Sequence, residues 1–307
     1  MKILVTSIVD IKKSAHNSRL HQFLKYLSKI HDITVLCIND WWKTEWDNKS
    51  IEYSKDFQDI LNSVNIVYLT EKRISPIIQE IYSINTVKDI LKNLGGFDIH
   101  FNYNSLISGY IAAKNIKANT IYDIADDLVA MIKTSPQINS IIRPIGGFVG
   151  EIALRNNINI SKKITYTTDS LRYSSNIPID KSELIPNGVD TELFRKYPSD
   201  RIKEELGIKN SFLIGYVGVL REWVDLEPLF IAVKQLNNKN FDIRLLILGG
   251  GIGYDDNIKL AKRYDLMKNI IDMFGADIQD VYINELKDGI FYAKITIESA
   301  NHKQEVD

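Results

Sequence analysis

One cysteine, five histidines and seven prolines stand among 307 residues. The single Cys37 lies in the apolar run ITVLCI and reads as a small core residue. It leaves no partner for a disulfide within the chain, which fits a reducing, cytoplasmic compartment. The histidines give no metal set. His16 and His21 are five apart, which does not put two ligands on one helical face, and no cysteine accompanies them. Neither sign of charge is in excess: 38 basic residues face 39 acidic ones, a net charge of -1, so bulk electrostatics give no argument for a nucleic-acid partner. No run approaches the ~18 apolar residues of a membrane span. The apolar part of the opening MKILVTSIVDIKK is too short for a convincing secretion signal. A serine hydrolase is unsupported, because no G-x-S-x-G elbow occurs. Internal repeats and low-complexity tracts are absent as well.

What is present is globular usage, 45% apolar and 25% charged, in a chain long enough for one large or two medium domains. Short apolar runs alternate with stretches of helical period. ILVTSIV (3–9) reads as a strand, and SRLHQFLKYLSKI (18–30) places Leu20, Phe23, Leu24 and Leu27 at helical spacing. ITVLCI (33–38), NIVYL (65–69), FDIHF (97–101), TIYDI (120–124) and ITYTT (164–168) read as further strands. PIIQEIYSINTVKDILKNL (76–94) reads as a helix with Pro76 at its start and Gly95 after its end. The rhythm restarts at FLIGYVG (212–218), DLEPLFIAVKQL (225–236), IRLLILGGG (243–251), a polar helix near 255–266, and NIIDMFG (269–275), with VYINELKDG and FYAKITIE last. Such alternation predicts an α/β chain of two Rossmann-like, doubly wound domains. The expected division is 1–186, a connecting segment 187–210, and 211–307.

Four stretches carry candidate chemistry. LIPNGVD (184–190) is a corner. Pro186 ends a strand, and Asn187-Gly188 tolerates the positive φ of a tight turn. In GYVGVLREW (215–223), Gly218 lets backbone amides approach an anion and Arg221 can fork onto phosphate. LGGG (248–251), with Gly253 after it, suits close backbone approach but lacks the lysine of a P-loop and the dinucleotide glycine spacing. IYDIADDL (121–128) sets Asp123, Asp126 and Asp127 at a strand end, where each serves as base, stabiliser or helix cap. Singly, each aspartate reads first as a cap or a solvated group. His100, within a strand, is the one histidine of interest.

Together, LIPNGVDTELF (184–194), IGYVGVLREWVDLEPLFIAVKQL, RLLILGGG and the upstream ALRNNINISKKITYTTDSLRYSS (153–175) resemble the retaining GT-B glycosyltransferases of family 4, group 1. The resemblance implies transfer of a sugar from a nucleotide-diphosphate donor to a saccharide or lipid-linked acceptor, with retention. It implies that the acceptor side belongs to the first domain and the donor to the second. It gives Gly218, Arg221, Gly249 and Gly250 to the donor, Asn187, Gly188 and Asp190 to the turn between domains, and Asp126 to the place of a strand-end histidine. No cofactor and no catalytic metal are implied, since cations and helix dipoles offset the diphosphate charge. Peripheral membrane contact is implied too. The stretch 133–155, with Lys133, Arg143 and Arg155, is apolar but sparse in basic residues for an interfacial helix, and by itself reads as a loop and a core helix.

The chain departs from that family in several places. SIVDIKKSAHNS (7–18) has no glycine where the family carries a Gly-rich loop, and Asp225 stands near the place of an expected lysine. The paired-glutamate motif E-x7-E is missing: Glu298 and Glu305 are seven apart, not eight. The expectation is therefore a shortened second domain, and a non-catalytic sugar-nucleotide binder or partner subunit stands as the alternative. A nucleotide-sugar epimerase on the same fold is a third reading, without the dense His and carboxylate set that it needs.

Overall fold

The computed structural model describes residues 1–13, 18–41, 53–135, 138–189, 191, 203, 208–221, 224–248, 251, 253–274, 281–285, 291–295, 297–299 and 302–304. The chain divides into two units, Met1–Asp190 and Thr191–Asp307.

In the first unit the strands are β1 Lys2–Ser7, β2 Asp32–Cys37, β3 Asn65–Tyr68, β4 Ile99–Tyr103, β5 Asn119–Ile124, β6 Lys163–Tyr166 and β7 Ser182–Leu184. They form one seven-stranded sheet in the order β3-β2-β1-β4-β5-β6-β7, with every pairing parallel. The chain starts in the middle, winds outward to β3, then returns to lay β4 beside β1. That reversal is the switch point of a doubly wound sheet. The helices are α1 Arg19–Leu27, α2 Tyr53–Asn62, α3 Pro76–Leu94, α4 Ile107–Asn115, α5 Leu128–Thr134, α6 Arg143–Ile160 and α7 Asp169–Ser174.

Strand alternation explains the two-sided core. On β1, Ile3 and Val5 face one layer with Leu20 and Leu24 of α1. Leu4, between them, faces the other with Val87 and Leu91 of α3 and Ala112 of α4. Tyr122, Ile124 and Ile164 close the far end against Ile158 of α6. Truncating a fully buried leucine such as Leu24 is expected to cost about 2–5 kcal/mol. Helix ends follow the signals in the sequence. Ser18 caps α1, accepting from the His21 amide, and Pro76 opens α3, which Gly95 ends at φ 83°.

The second unit holds β8 Phe212–Val217, α8 Glu227–Asn237, β9 Ile243–Leu248, α9 Tyr254–Arg263 and β10 Ile270–Phe274. Its three strands lie parallel in the order β10-β9-β8 over a core of Leu220, Phe230, Val233, Leu245 and Ile247. Beyond β10 the described strands pair antiparallel. β11 Val281–Glu285 pairs antiparallel with β12 Phe291–Ile295, and β13 Ile297–Ser299 pairs antiparallel with β14 His302–Gln304. Asp288-Gly289, between the two runs of β11 and β12, is a strong short-range hairpin signal.

Candidate functional site

The strand-end edge of the first unit is organised around Arg19, the first residue of α1. Its Nε and Nη2 donate to the two oxygens of Asp123, at 2.9 and 2.8 Å. The side chains of this ion pair are 7% and 0% exposed. A third donor, Nη1, reaches the Pro186 carbonyl at 3.1 Å and Asn187 Oδ1 at 3.5 Å. Thr165 donates to Asp123 Oδ1, the oxygen that also accepts from Nη2, and the guanidinium lies 4.8 Å from the centre of the Phe23 ring. The Pro-Asn-Gly corner is thus held to the end of β5 through one arginine. Reading the sequence missed Arg19. A cation in the first turn of a helix opposes the dipole, and α1 has no acid there, which signals a fixed carboxylate elsewhere.

Around this pair the acidic residues divide by role. Asp127 caps α5 by accepting from the Ala130 amide at 2.9 Å, and it accepts from the Ser174 hydroxyl at 3.1 Å. Asp126 is exposed as a residue, while its carboxyl is partly shielded from water by the surrounding strand ends. Desolvation first, and then the charge of Asp123, raise its pKa above the ordinary aspartate value. Tyr103, at the end of β4, has its phenol pushed up to about 12, chiefly by burial and further by Asp123 and Asp126.

The loop after β1 has no glycine, and a side chain organises its described part, residues 8–13. Asp10 is buried and accepts from the amides of Lys12 at 3.1 Å and Asp40 at 3.0 Å, and from Tyr68 Oη at 3.3 Å. It ties that loop to the ends of β2 and β3, and burial raises its pKa. His100 is a structural residue, bonded at Nε2 to Thr6 Oγ1 at 3.0 Å and at Nδ1 to Thr120 Oγ1 at 3.1 Å. Burial pulls its pKa down to about 3, so the ring is neutral. A cavity of about 290 Å³ opens between Lys12, Phe57, Leu61 and Ile66, and none of the predicted site residues lines it.

In the second unit the loops after β8 and β9 are closed by backbone. The Gly253 amide donates to the Leu220 carbonyl at 2.8 Å. Gly251 has φ 132°, and a Cβ there would lie 2.6 Å from the same oxygen; one at Gly253 would lie 3.0 Å from the Arg221 carbonyl. These two glycines are needed for loop-to-loop approach. Gly218 follows β8, and Arg221 is exposed on the turn that Gly251 and Gly253 support. Asp225, two residues before α8, accepts from the amide of its first residue, Glu227, at 2.9 Å. Asn187 and Gly188 are exposed. Gly249, Gly250 and Asp190 lie outside the described residues. Among the described residues, no three His, Cys, Asp or Glu side chains gather as a metal site.

Comparison with solved structures places this architecture. HepE of Anabaena, solved with UDP and glucose, aligns with a TM-score of 0.55 at 17% identity, covering 91% of this chain and 71% of that one. The neighbours are GT-B glycosyltransferases and epimerases. A glycosyltransferase of Rickettsia africae aligns with a TM-score of 0.52 at 17% identity, over 91% of this chain and 69% of its own. A Listeria monocytogenes protein assigned to the UDP-N-acetylglucosamine 2-epimerases gives 0.52 at 13% identity, over 92% and 70%. At such identities the likeness is one of fold. The family model that matches is a bifunctional nuclease domain, over residues 255–307. That match takes in α9, β10 and both antiparallel pairs. No curated protein matches the chain.

Proposed function

We propose that the chain binds a nucleotide-diphosphate sugar through the loops after β8 and β9 and moves the sugar, with retention, to a saccharide or lipid-linked acceptor held by the first unit. The observation that carries this reading is the glycine-tight contact of Gly251 and Gly253 on Leu220 and Arg221. It fixes the turn on which Arg221 stands, at strand ends of a fold shared with a protein solved with UDP. Arg221 and the loop amides then neutralise the leaving diphosphate, without a catalytic metal or other cofactor. Asp126, exposed and raised in pKa by its surroundings, serves the acceptor side as a proton-accepting or stabilising carboxylate.

One observation favours the second reading, a sugar-nucleotide binder without turnover. The first turn of α9 carries Asp255 and Asp256, so that helix end is already occupied by negative charge and gives little to a phosphate. The segment from 255 onward also matches a different family. The deciding experiment incubates purified protein with a panel of radiolabelled sugar nucleotides and saccharide or lipid-linked acceptors, with and without EDTA. Transfer that survives EDTA supports the first reading. Donor binding without transfer supports the second, and absence of both overturns the two together.

A further inference from the structure

The cavity beside α2 takes no part in the strand-end chemistry described above, yet its walls are fixed from several sides. Phe57 and Leu61, and Gln58 and Asn62, are each one helical turn apart on α2, so the four share the face that lines it. Phe57 is buried and lies against the His21 ring, with centroids 5.0 Å apart. Leu61, Val64 and Ile66 are half-buried and pack on the core layer of Leu20 and Leu24. The wall is therefore a held apolar surface with two carboxamides on the α2 side.

One cation completes it. Among the described residues that line the cavity, Lys12 carries the single charge. Its backbone is pinned on both sides. Ile11 is fully buried, and its carbonyl lies 3.0 Å from His21 Nε2. A carbonyl only accepts, so Nε2 carries the ring proton and Nδ1 accepts from the Ser18 hydroxyl at 2.6 Å. Burial lowers the pKa of this ring and keeps it neutral. The Lys12 amide donates to Asp10 Oδ1 at 3.1 Å. Lys13 keeps its ammonium within the loop, 3.4 Å from Asn39 Oδ1 and 4.0 Å from the Asp10 carboxylate. Among the described residues, no carboxylate pairs with Lys12. The two lysines thus divide: Lys13 closes the loop, and Lys12 lines the cavity. His21 fixes Lys12 and Phe57 together, through the Ile11 carbonyl and through its own ring.

Size and charge define what such a place takes. Its volume of about 290 Å³ lies just below the usual ~300–1,000 Å³ of ligand pockets. At about 30 Å³ per water it has room for about ten waters, or for a molecule of about as many non-hydrogen atoms. A nucleotide-diphosphate sugar is far larger. One ammonium balances a monoanion, and a second negative charge would be desolvated without a cation. An ammonium is also a point charge, without the fork that reads phosphate in two places. The apolar side chains fit the body of the ligand, and the fixed Phe57 ring favours an aromatic one.

We propose that this cavity binds a small aromatic monocarboxylate, with the carboxylate on Lys12 and the ring against Phe57, Leu61 and Ile66. The site is independent of the sugar-donor reading, since none of the donor candidates lines it. The full chain is titrated with benzoate, with benzyl alcohol as the uncharged counterpart and inorganic phosphate as the anion without an apolar body. Binding is read by saturation-transfer NMR and by the rise in unfolding temperature. The expected result is saturable benzoate binding at millimolar concentration or tighter, benzyl alcohol weaker by about tenfold or more, and no displacement by equimolar phosphate. Lys12→Met is expected to weaken benzoate about tenfold or more, and Lys12→Arg to restore part of the loss. Val64→Phe, which fills the cavity, is expected to abolish binding. A further measurement uses the unaltered chain: with methyl-labelled protein, benzoate ring protons should show NOEs to Leu61, Val64 and Ile66. Absence of benzoate binding at millimolar concentration, equal binding of benzyl alcohol, displacement by phosphate, or NOEs confined to methyl groups elsewhere overturns the proposal. So does a Lys12→Met protein that unfolds at the wild-type urea midpoint and binds benzoate as wild type does.

Discussion

The two strand-end edges of this chain are built by opposite means. In the first unit, side chains close the edge: Arg19 with Asp123, and Asp10 with the amides of Lys12 and Asp40. In the second, backbone closes it: Gly251 and Gly253 lie against the carbonyls of Leu220 and Arg221. An edge held by side chains places charges at fixed points but loses much when one partner goes. An edge held by backbone carries Arg221 at an exposed position on its turn and tolerates no Cβ at Gly251 or Gly253. The first suits fixing a scaffold and a corner. The second suits the approach of an anion.

Substitutions separate the two kinds of edge. Arg19→Met has the largest expected effect, because it leaves Asp123 buried and charged; urea unfolding of the first unit should lose about 3–5 kcal/mol. Arg19→Lys, which keeps the charge but not the fork, should recover only part of it. Gly251→Ala should cost the second unit about 2 kcal/mol through its φ of 132° and the Leu220 contact, and should weaken donor binding as well. If Gly251→Ala unfolds at the wild-type urea midpoint, the backbone account of that edge is wrong.

Acid brings out another property of the first unit. His100 is neutral in the fold, with its pKa near 3, whereas the unfolded chain takes up a proton near 6.5. Below about pH 6.5 the unfolded state binds more protons, so stability falls with pH down to about 3, by about 1.4 kcal/mol per unit. At pH 5 that is a loss of about 2 kcal/mol relative to pH 7, and it should be missing from the pH slope of His100→Gln. Asp126→Asn should have the smallest effect, with its direction set by the raised pKa. The fold favours the neutral acid, so stability from this group is present at low pH and declines as pH rises through its folded pKa. The amide variant should therefore be slightly more stable than wild type at pH 7 and equal to it near pH 3, while acceptor-dependent transfer falls.

Much of this architecture was legible in the chain. Pro76 and Gly95 marked the ends of α3 to the residue, because each acts through its own backbone. β4 was read two residues early: Phe97 is apolar, but Asp98 takes the Lys2 amide at 2.7 Å, and the strand begins at Ile99. The pairing of Arg19 with Asp123 was not legible, since it joins positions 104 residues apart and neither residue announces the other. Within 133–155 the inward side of α6 was not legible from its large apolar residues, because Ile145, Phe148 and Ile152 are exposed while Gly147, Gly150 and Ala153 are buried, with Ile158 following beyond that stretch. The run after β10 was read as continued alternation although Asp288-Gly289 called for a hairpin. The loop glycines Gly251 and Gly253 were legible as sites of close approach, but what approaches them is first the chain's own backbone.

Calorimetric titration of the purified chain with UDP and a panel of sugar nucleotides tests the central claim most directly. The account predicts saturable binding at millimolar concentration or tighter for at least one donor, weakened about tenfold or more in Arg221→Ala through loss of a charge-assisted contact. It predicts no weakening in Ile145→Asp. Absence of heat from every donor at millimolar concentration, or equal binding by wild type and Arg221→Ala, would contradict it.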